Sequence, residues 1–214
     1  MSSRGIQLIE EETTVELQHV NIKLLLKNSV VVDLEALVPV FHSWIQQQAN
    51  EELLLDVASY AHVPNGPGVL LIGHEADYSL DMTDGLAGLR YNRKAPLDGT
   101  NQERLGQAAR AAIKALVRLE QDTRLNNNIQ FDDKNVELFL NDRLLTPNNE
   151  KTRHAIEPEL HRFFDRLVGK SAYTVQYETE PRKLFGARIQ FEREVSLEKL
   201  LNNLNQHSSQ HAGL

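Results

Sequence analysis

The chain has 214 residues, a formal charge of −7 and no cysteine. That length fits one large domain or two small ones, and the lack of cysteine excludes disulfides, thiolate metal sites and cysteine nucleophiles. Residues 1–100 hold 6 basic against 14 acidic side chains and residues 101–214 hold 17 against 16, so no basic field is expected to meet a phosphate backbone.

"MSSRGIQLIEEETT" has no apolar core and soon turns acidic, so no secretory leader is predicted. The apolar runs are far shorter than the roughly 18–20 residues of a membrane-spanning helix. In "HVNIKLLLKN" Val20, Ile22, Leu24 and Leu26 alternate with Asn21, Lys23 and Lys27, which predicts a half-buried strand. Asp33 then caps a helix through about Gln48, with Leu34, Leu37, Val38, Phe41, Trp44 and Ile45 on one stripe and His42 at its edge. "ELLLDVA" (52–58) reads as a strand, followed by a Pro/Gly-rich loop, "SYAHVPNGPG".

Asp84-Gly85 signals a two-residue type I′ turn. That turn sets Tyr78 opposite Tyr91, Leu80 opposite Leu89 and Met82 opposite Ala87 on one face. The other face then pairs Glu75 with Lys94, Asp77 with Asn92 and Ser79 with Arg90. Read as one continuous strand, the segment before the turn puts His74 on the apolar face with Leu70, Ile72, Ala76 and Tyr78.

"TNQE" (100–103) is a capping box opening a long helix with Leu105, Ala108, Ala109, Ala112, Leu116 and Leu119 on its buried side. "LNNNIQFDDKN" (125–135) breaks the pattern and predicts a boundary. The plan then recurs: "NVELFLND" (135–142) aligns with "NIKLLLKN" (21–28). Leu160, Phe163, Phe164, Leu167 and Val168 predict a helix ended by Gly169, with Pro158 either at its first turn or inside a longer helix from near Asn149. Tyr173, Val175 and Tyr177, then Phe185, Ala187, Ile189 and Phe191, predict a second hairpin. Ser196 caps a last helix, and 207–214 are expected to be a disordered tail.

Each half thus reads strand, helix, strands, helix. The expected fold is α+β, a mainly antiparallel sheet with helices on one face, organised as two repeated β-α-β-β-α units. Residues 1–125 form the first unit and 126–206 a smaller second one packed on it. The two sheets could stack or join edge to edge.

The polar residues left over are few. His74 admits two readings: a core histidine held by a hydrogen bond, or a general base or metal ligand at the end of a sheet. In the second reading His74 and His62 are the catalytic candidates, with Tyr60 and Asn65 lining a pocket and Arg93 binding an anion from "YNRK". Glu75 and Asp77 leave the opposite face from His74, so no metal site is expected; no cofactor motif is present either. His154 and His161 lie two helical turns apart, too far for one metal. Arg110, Lys114 and Arg118 share one helix side and read as a solvated face.

"VPNGPGVLLIGHEADYSLD" (63–81) and "GLAGLRYNRK" (85–94) resemble a family of small bacterial proteins of uncharacterised activity. The similar plan runs from the first helix through "VELFLNDRL" (136–144) to the second hairpin. The resemblance implies the bacterial cytosol and a single compact unit, and it carries over no activity and no residue role. The residues themselves favour a non-catalytic cytosolic binding or assembly protein acting through protein–protein contacts and forming a homo-oligomer, with no nucleic acid and no membrane partner. The alternative is an enzyme doing acid–base chemistry on a small polar molecule near His62 and His74.

Overall fold

The structure, a computed structural model, describes residues 15–27, 32–48, 50–126 and 128–208, of which 207 and 208 are described in their backbone alone. The described residues form strands β1 (Val20–Leu26), β2 (Leu54–Ser59), β3 (Val69–Gly73), β4 (Ala76–Asp81), β5 (Gly88–Arg93), β6 (Phe131–Leu140), β7 (Tyr173–Tyr177) and β8 (Phe185–Phe191). The helices are α1 (Leu34–Gln46), α2 (Asn101–Glu120), α3 (Glu150–Val168) and α4 (Leu197–Ser208).

All eight strands join one antiparallel sheet in the order β2-β3-β4-β5-β1-β6-β8-β7. The two halves therefore meet edge to edge, through β1 and β6. The fold is α+β as expected. The helices cover one face, where Ile22, Leu24, Tyr78, Leu80, Tyr91, Leu138 and Ile189 join Phe41, Trp44, Leu105, Leu116, Phe163 and Phe164 in one core.

Local chemistry sets the helix ends. Asp33 accepts from the Glu35 and Ala36 N–H groups, and the Thr100–Glu103 capping box is complete. Asn149 caps α3 by accepting from the Thr152 N–H, so Pro158 lies inside the longer helix. The carbonyl that Pro158 frees belongs to exposed His154, where water can satisfy it. Ser196 accepts from the Lys199 N–H and opens α4. That helix continues through Ser208, which corrects the expected tail at 207–208; residues 209–214 lie outside the described residues.

The Asp84-Gly85 turn has both residues at positive φ (58° and 72°), as a type I′ turn requires. The β4–β5 register matches the sequence reading pair for pair, from Asp77↔Asn92 to Leu80↔Leu89. Three expectations are corrected. The segment before the turn is two strands, because the chain reverses at His74-Glu75 between Gly73 and Ala76. Lys94 bonds the Asp77 carboxylate (2.7 Å) and the Gly73 carbonyl (2.6 Å), while its link to Glu75 is through the backbone. And β1 is buried on both faces, since it lies between β5 and β6.

The strand register carries the internal match beyond the first strand. Lys23 pairs with Arg90 of β5, and Glu137, its counterpart in β6, pairs with Arg188 of β8. "GLRYNR" of β5 thereby aligns with "GARIQF" of β8, Gly88 on Gly186 and Arg90 on Arg188. One strand further out, Ser79 faces Arg90 and Gln176 faces Arg188, which makes Asp81 and Glu178 counterparts.

Candidate functional site

No described helix packs on the other face of the sheet, and the repeat gathers charge there. Arg90, Lys23, Glu137 and Arg188 form one row across β5, β1, β6 and β8. Lys23 and Glu137 occupy the pseudo-two-fold axis: each is the other's repeat counterpart and also its direct cross-strand neighbour.

The tips of the two equivalent hairpins, β4–β5 and β7–β8, meet over this row through Lys183 and Asp84 (3.7 Å). They enclose a hollow of about 280 Å³ with Lys23, Arg90, Glu137 and Phe139 among its lining. The tips explain why Lys23 and Asp81, on a face where no described helix packs, are each only 2 % exposed. Gly88 makes room for the lysine stem, since a Cβ there would come within 2.9 Å of Lys23 Cγ and Cε. Gly186 does the same for the Phe139 ring in the second half, where a Cβ would lie 3.0 Å from Cδ1.

Lys23 Nζ lies 3.2 Å from one oxygen of Asp81, and Arg90 Nη1 lies 3.2 Å from the other. Arg90 also donates to Asn21 Oδ1 (3.1 Å) and lies over the Phe139 ring at 5.1 Å. Burial pushes the Asp81 carboxyl upward, but Lys23, the Thr83 hydrogen bonds and Arg90 together outweigh it and hold Asp81 below the usual carboxylate value. In the second half Glu137 takes Arg188 (2.6 Å), and Glu178, the counterpart of Asp81, takes Lys183 (3.1 Å). The lining carries five basic and four acidic side chains. At its edge Arg143 and Arg182 are exposed, while Lys183 is paired with Glu178 and Asp84.

Beside this edge stand two exposed leucines. Asp142 accepts from the N–H groups of Leu144 (3.1 Å) and Leu145 (3.0 Å), and its carbonyl takes the Thr146 N–H and hydroxyl. This fixed turn holds Leu144 89 % exposed and Leu145 52 % exposed.

The residues singled out in the sequence lie elsewhere. His74 sits in the β3–β4 turn with its side chain 69 % exposed and its Nδ1 3.5 Å from Glu75, so the apolar-face placement is corrected. The reason is the reversal at 74–75, which ends the alternation that placed it. His62, Tyr60 and Asn65 are exposed in the loop before β3. His62 and His74 thus flank opposite ends of β3, five residues long at about 3.3 Å per residue, and the structure does not bring them together. Arg93 donates to the Ala95 and Pro96 carbonyls. Among the described residues no group of three or more His, Cys, Asp or Glu is placed to hold a metal. His154 is exposed, and His161 Nδ1 lies 2.9 Å from the Tyr173 hydroxyl.

Lys23, Asp81, Arg90 and Glu137 are not among the site candidates the sequence offered, although Lys23 and Arg90 figured there as strand residues. The signal that could have found them is a lysine and a glutamate at matching positions of the repeated strands. Comparison with protein-family models and with curated proteins returned no match.

Proposed function

We propose that the protein is a non-catalytic binding protein whose sheet face away from the described helices, at the hollow on the pseudo-two-fold axis, receives a protein partner. The observation that carries this reading is the leucine pair held out on a fixed turn beside the exposed Arg143 and Arg182. Apolar anchors surrounded by charge are what protein interfaces use, and holding them rigid lowers the ordering cost of association. Within the hollow Lys23 and Arg90 hold Asp81, and Lys183 holds Glu178 and Asp84, so these charges neutralise one another. That supports recognition in preference to covalent or acid–base chemistry.

The partner segment is acidic with apolar side chains: its acids meet Arg143 and Arg182, and its apolar groups meet Leu144, Leu145 and Phe139. The cysteine-free composition supports a cytosolic setting. A photo-crosslinker placed at position 144 tests the reading. Capture of one discrete protein, lost when Arg143 and Arg182 are both changed to Glu, supports it; a second copy of this chain is one such protein. Equal capture from position 74 or no discrete product overturns it.

A further inference from the structure

A second hollow, of about 300 Å³, opens on the helical side between α2 and the segment joining α1 to β2. Its floor is the Glu52 carboxylate. The Tyr78 hydroxyl donates to one oxygen (2.8 Å), and the Tyr91 hydroxyl (3.1 Å) and Gln107 Nε2 (3.4 Å) donate to the other. Gln107 also donates to the Tyr91 hydroxyl at 2.8 Å. The two rings are buried and pack edge to face at 5.2 Å, so the core fixes where the carboxylate sits. Its position does not depend on a ligand.

The lip is cationic. Arg110, Lys114 and Arg118 follow one another at four-residue intervals along α2, and the small side chains of Ala111 and Ala115 keep the wall between them low. Lys114 pairs with Glu51 at 2.7 Å, but both ends of that pair are well exposed, so another carboxylate can replace Glu51 at little cost. Arg118 lies over the Trp44 ring at 4.6 Å and donates to the neutral Gln47 side chain.

A negative floor and a positive lip discriminate between ligands. A simple anion entering the cleft meets Glu52, and a simple cation must pass Lys114 and Arg118. A small molecule with a cationic and an anionic end satisfies both. We propose that this cleft binds a free α-amino acid, its ammonium group on Glu52 and its carboxylate on Lys114, which already reaches Glu51, the neighbour of Glu52 in the chain. The volume is at the small end of ligand pockets, which suits a molecule of about ten heavy atoms. The site is independent of the partner face.

Titration calorimetry on the full chain with L-glutamate, L-glutamine, L-lysine and L-leucine, each beside its N-acetyl derivative, tests this. At least one amino acid is expected to bind with one-to-one stoichiometry, and N-acetylation is expected to weaken it at least tenfold. Glu52→Gln is expected to abolish binding. Lys114→Glu, at an exposed position where folding is not at stake, is expected to weaken it at least fivefold, while the Arg143→Glu, Arg182→Glu pair leaves it unchanged. No binding by any of the four, equal binding of the N-acetyl form, or an unchanged affinity in Lys114→Glu overturns the proposal.

Discussion

Lys23 and Glu137 face each other across the β1–β6 ladder, yet each turns to a different partner: Lys23 to Asp81 and Glu137 to Arg188. The repeat explains the divergence. With lysine at the axis, the acid of the neighbouring hairpin closes inward. With glutamate there, the equivalent acid, Glu178, turns to its own hairpin tip and takes Lys183.

The buried pair is expected to be costly to break from one side. Lys23→Met strands Asp81 in a buried site, though Arg90 and the Thr83 N–H remain. The loss is expected near the lower end of the roughly 3–5 kcal/mol typical of such deletions. Adding Asp81→Asn removes the stranded charge and is expected to recover about half of it. Urea denaturation of the two singles and the double measures this; additive losses would show that the two groups are not coupled.

Acid sensitivity follows from the same carboxylate. Asp81 is depressed in the folded chain relative to 3.8, so the unfolded state binds the proton first. Its contribution to stability is fully present above the ordinary carboxylate value and is lost as pH falls through the lower folded value. Melting temperature is expected to be flat toward neutrality and to fall below about pH 4, less steeply in Lys23→Met. A melting temperature that rises on acidification would contradict this.

Alkaline behaviour is set by the tyrosines. Burial first, with Glu52 adding to it, pushes the Tyr91 phenol up to about 12, against the lowering effect of its Gln107 and Arg93 neighbours. Burial and Glu157 push Tyr177 up to about 12 against the opposing charge of Arg153, and burial and Glu52 carry Tyr78 further still. The folded chain keeps these protons while the unfolded chain releases them, so this stability is present below 10.0 and is lost as pH rises through the folded values. Phenolate absorbance is expected to rise together with loss of circular dichroism. Ionisation of all five tyrosines near 10 with the fold intact is the contrary result.

The two equivalent glycines are expected to differ. Gly88→Ala would bring a methyl within 2.8 Å of the Leu24 carbonyl, which is backbone and cannot move aside. Gly186→Ala meets the edge of the Phe139 ring at 3.0 Å and Glu178 Cβ at an ordinary 3.6 Å, side-chain atoms in both cases. The first is expected to cost about 2–3 kcal/mol and the second about 1 kcal/mol, within the range for overpacking. Thermal melts rank them, and the reverse order would show that the ring is the stiffer neighbour.

Leu144→Asp is expected to change stability by less than about 0.5 kcal/mol, because the side chain is 89 % exposed and its turn is held by Asp142. Crosslinking of the partner from position 145 is expected to disappear in this variant. A large loss of stability would instead make the leucine structural.

Periodicity, caps and one turn were enough to determine much of the chain. The spacing of Leu37, Phe41 and Trp44, the Thr100–Glu103 box and the positive-φ requirement of Asp84-Gly85 are local constraints, and each was readable without knowing what lies beside it. The matching of "NIKLLLKN" with "NVELFLND" went further and exposed the repeat. What lies beside a residue is decided by strand order, which no local pattern contains. The reversal at His74-Glu75 was hidden because Ile72, Ala76 and Tyr78 keep their alternation in number while the chain turns back between them. Lys23 read as a solvent-facing lysine, since alternation says which face a side chain leaves from and nothing about what covers that face. Only the joining of β1 to β6, with two hairpin tips closing over that seam, made it a buried ion-pair partner and moved the candidate site from His62 and His74 to the axis.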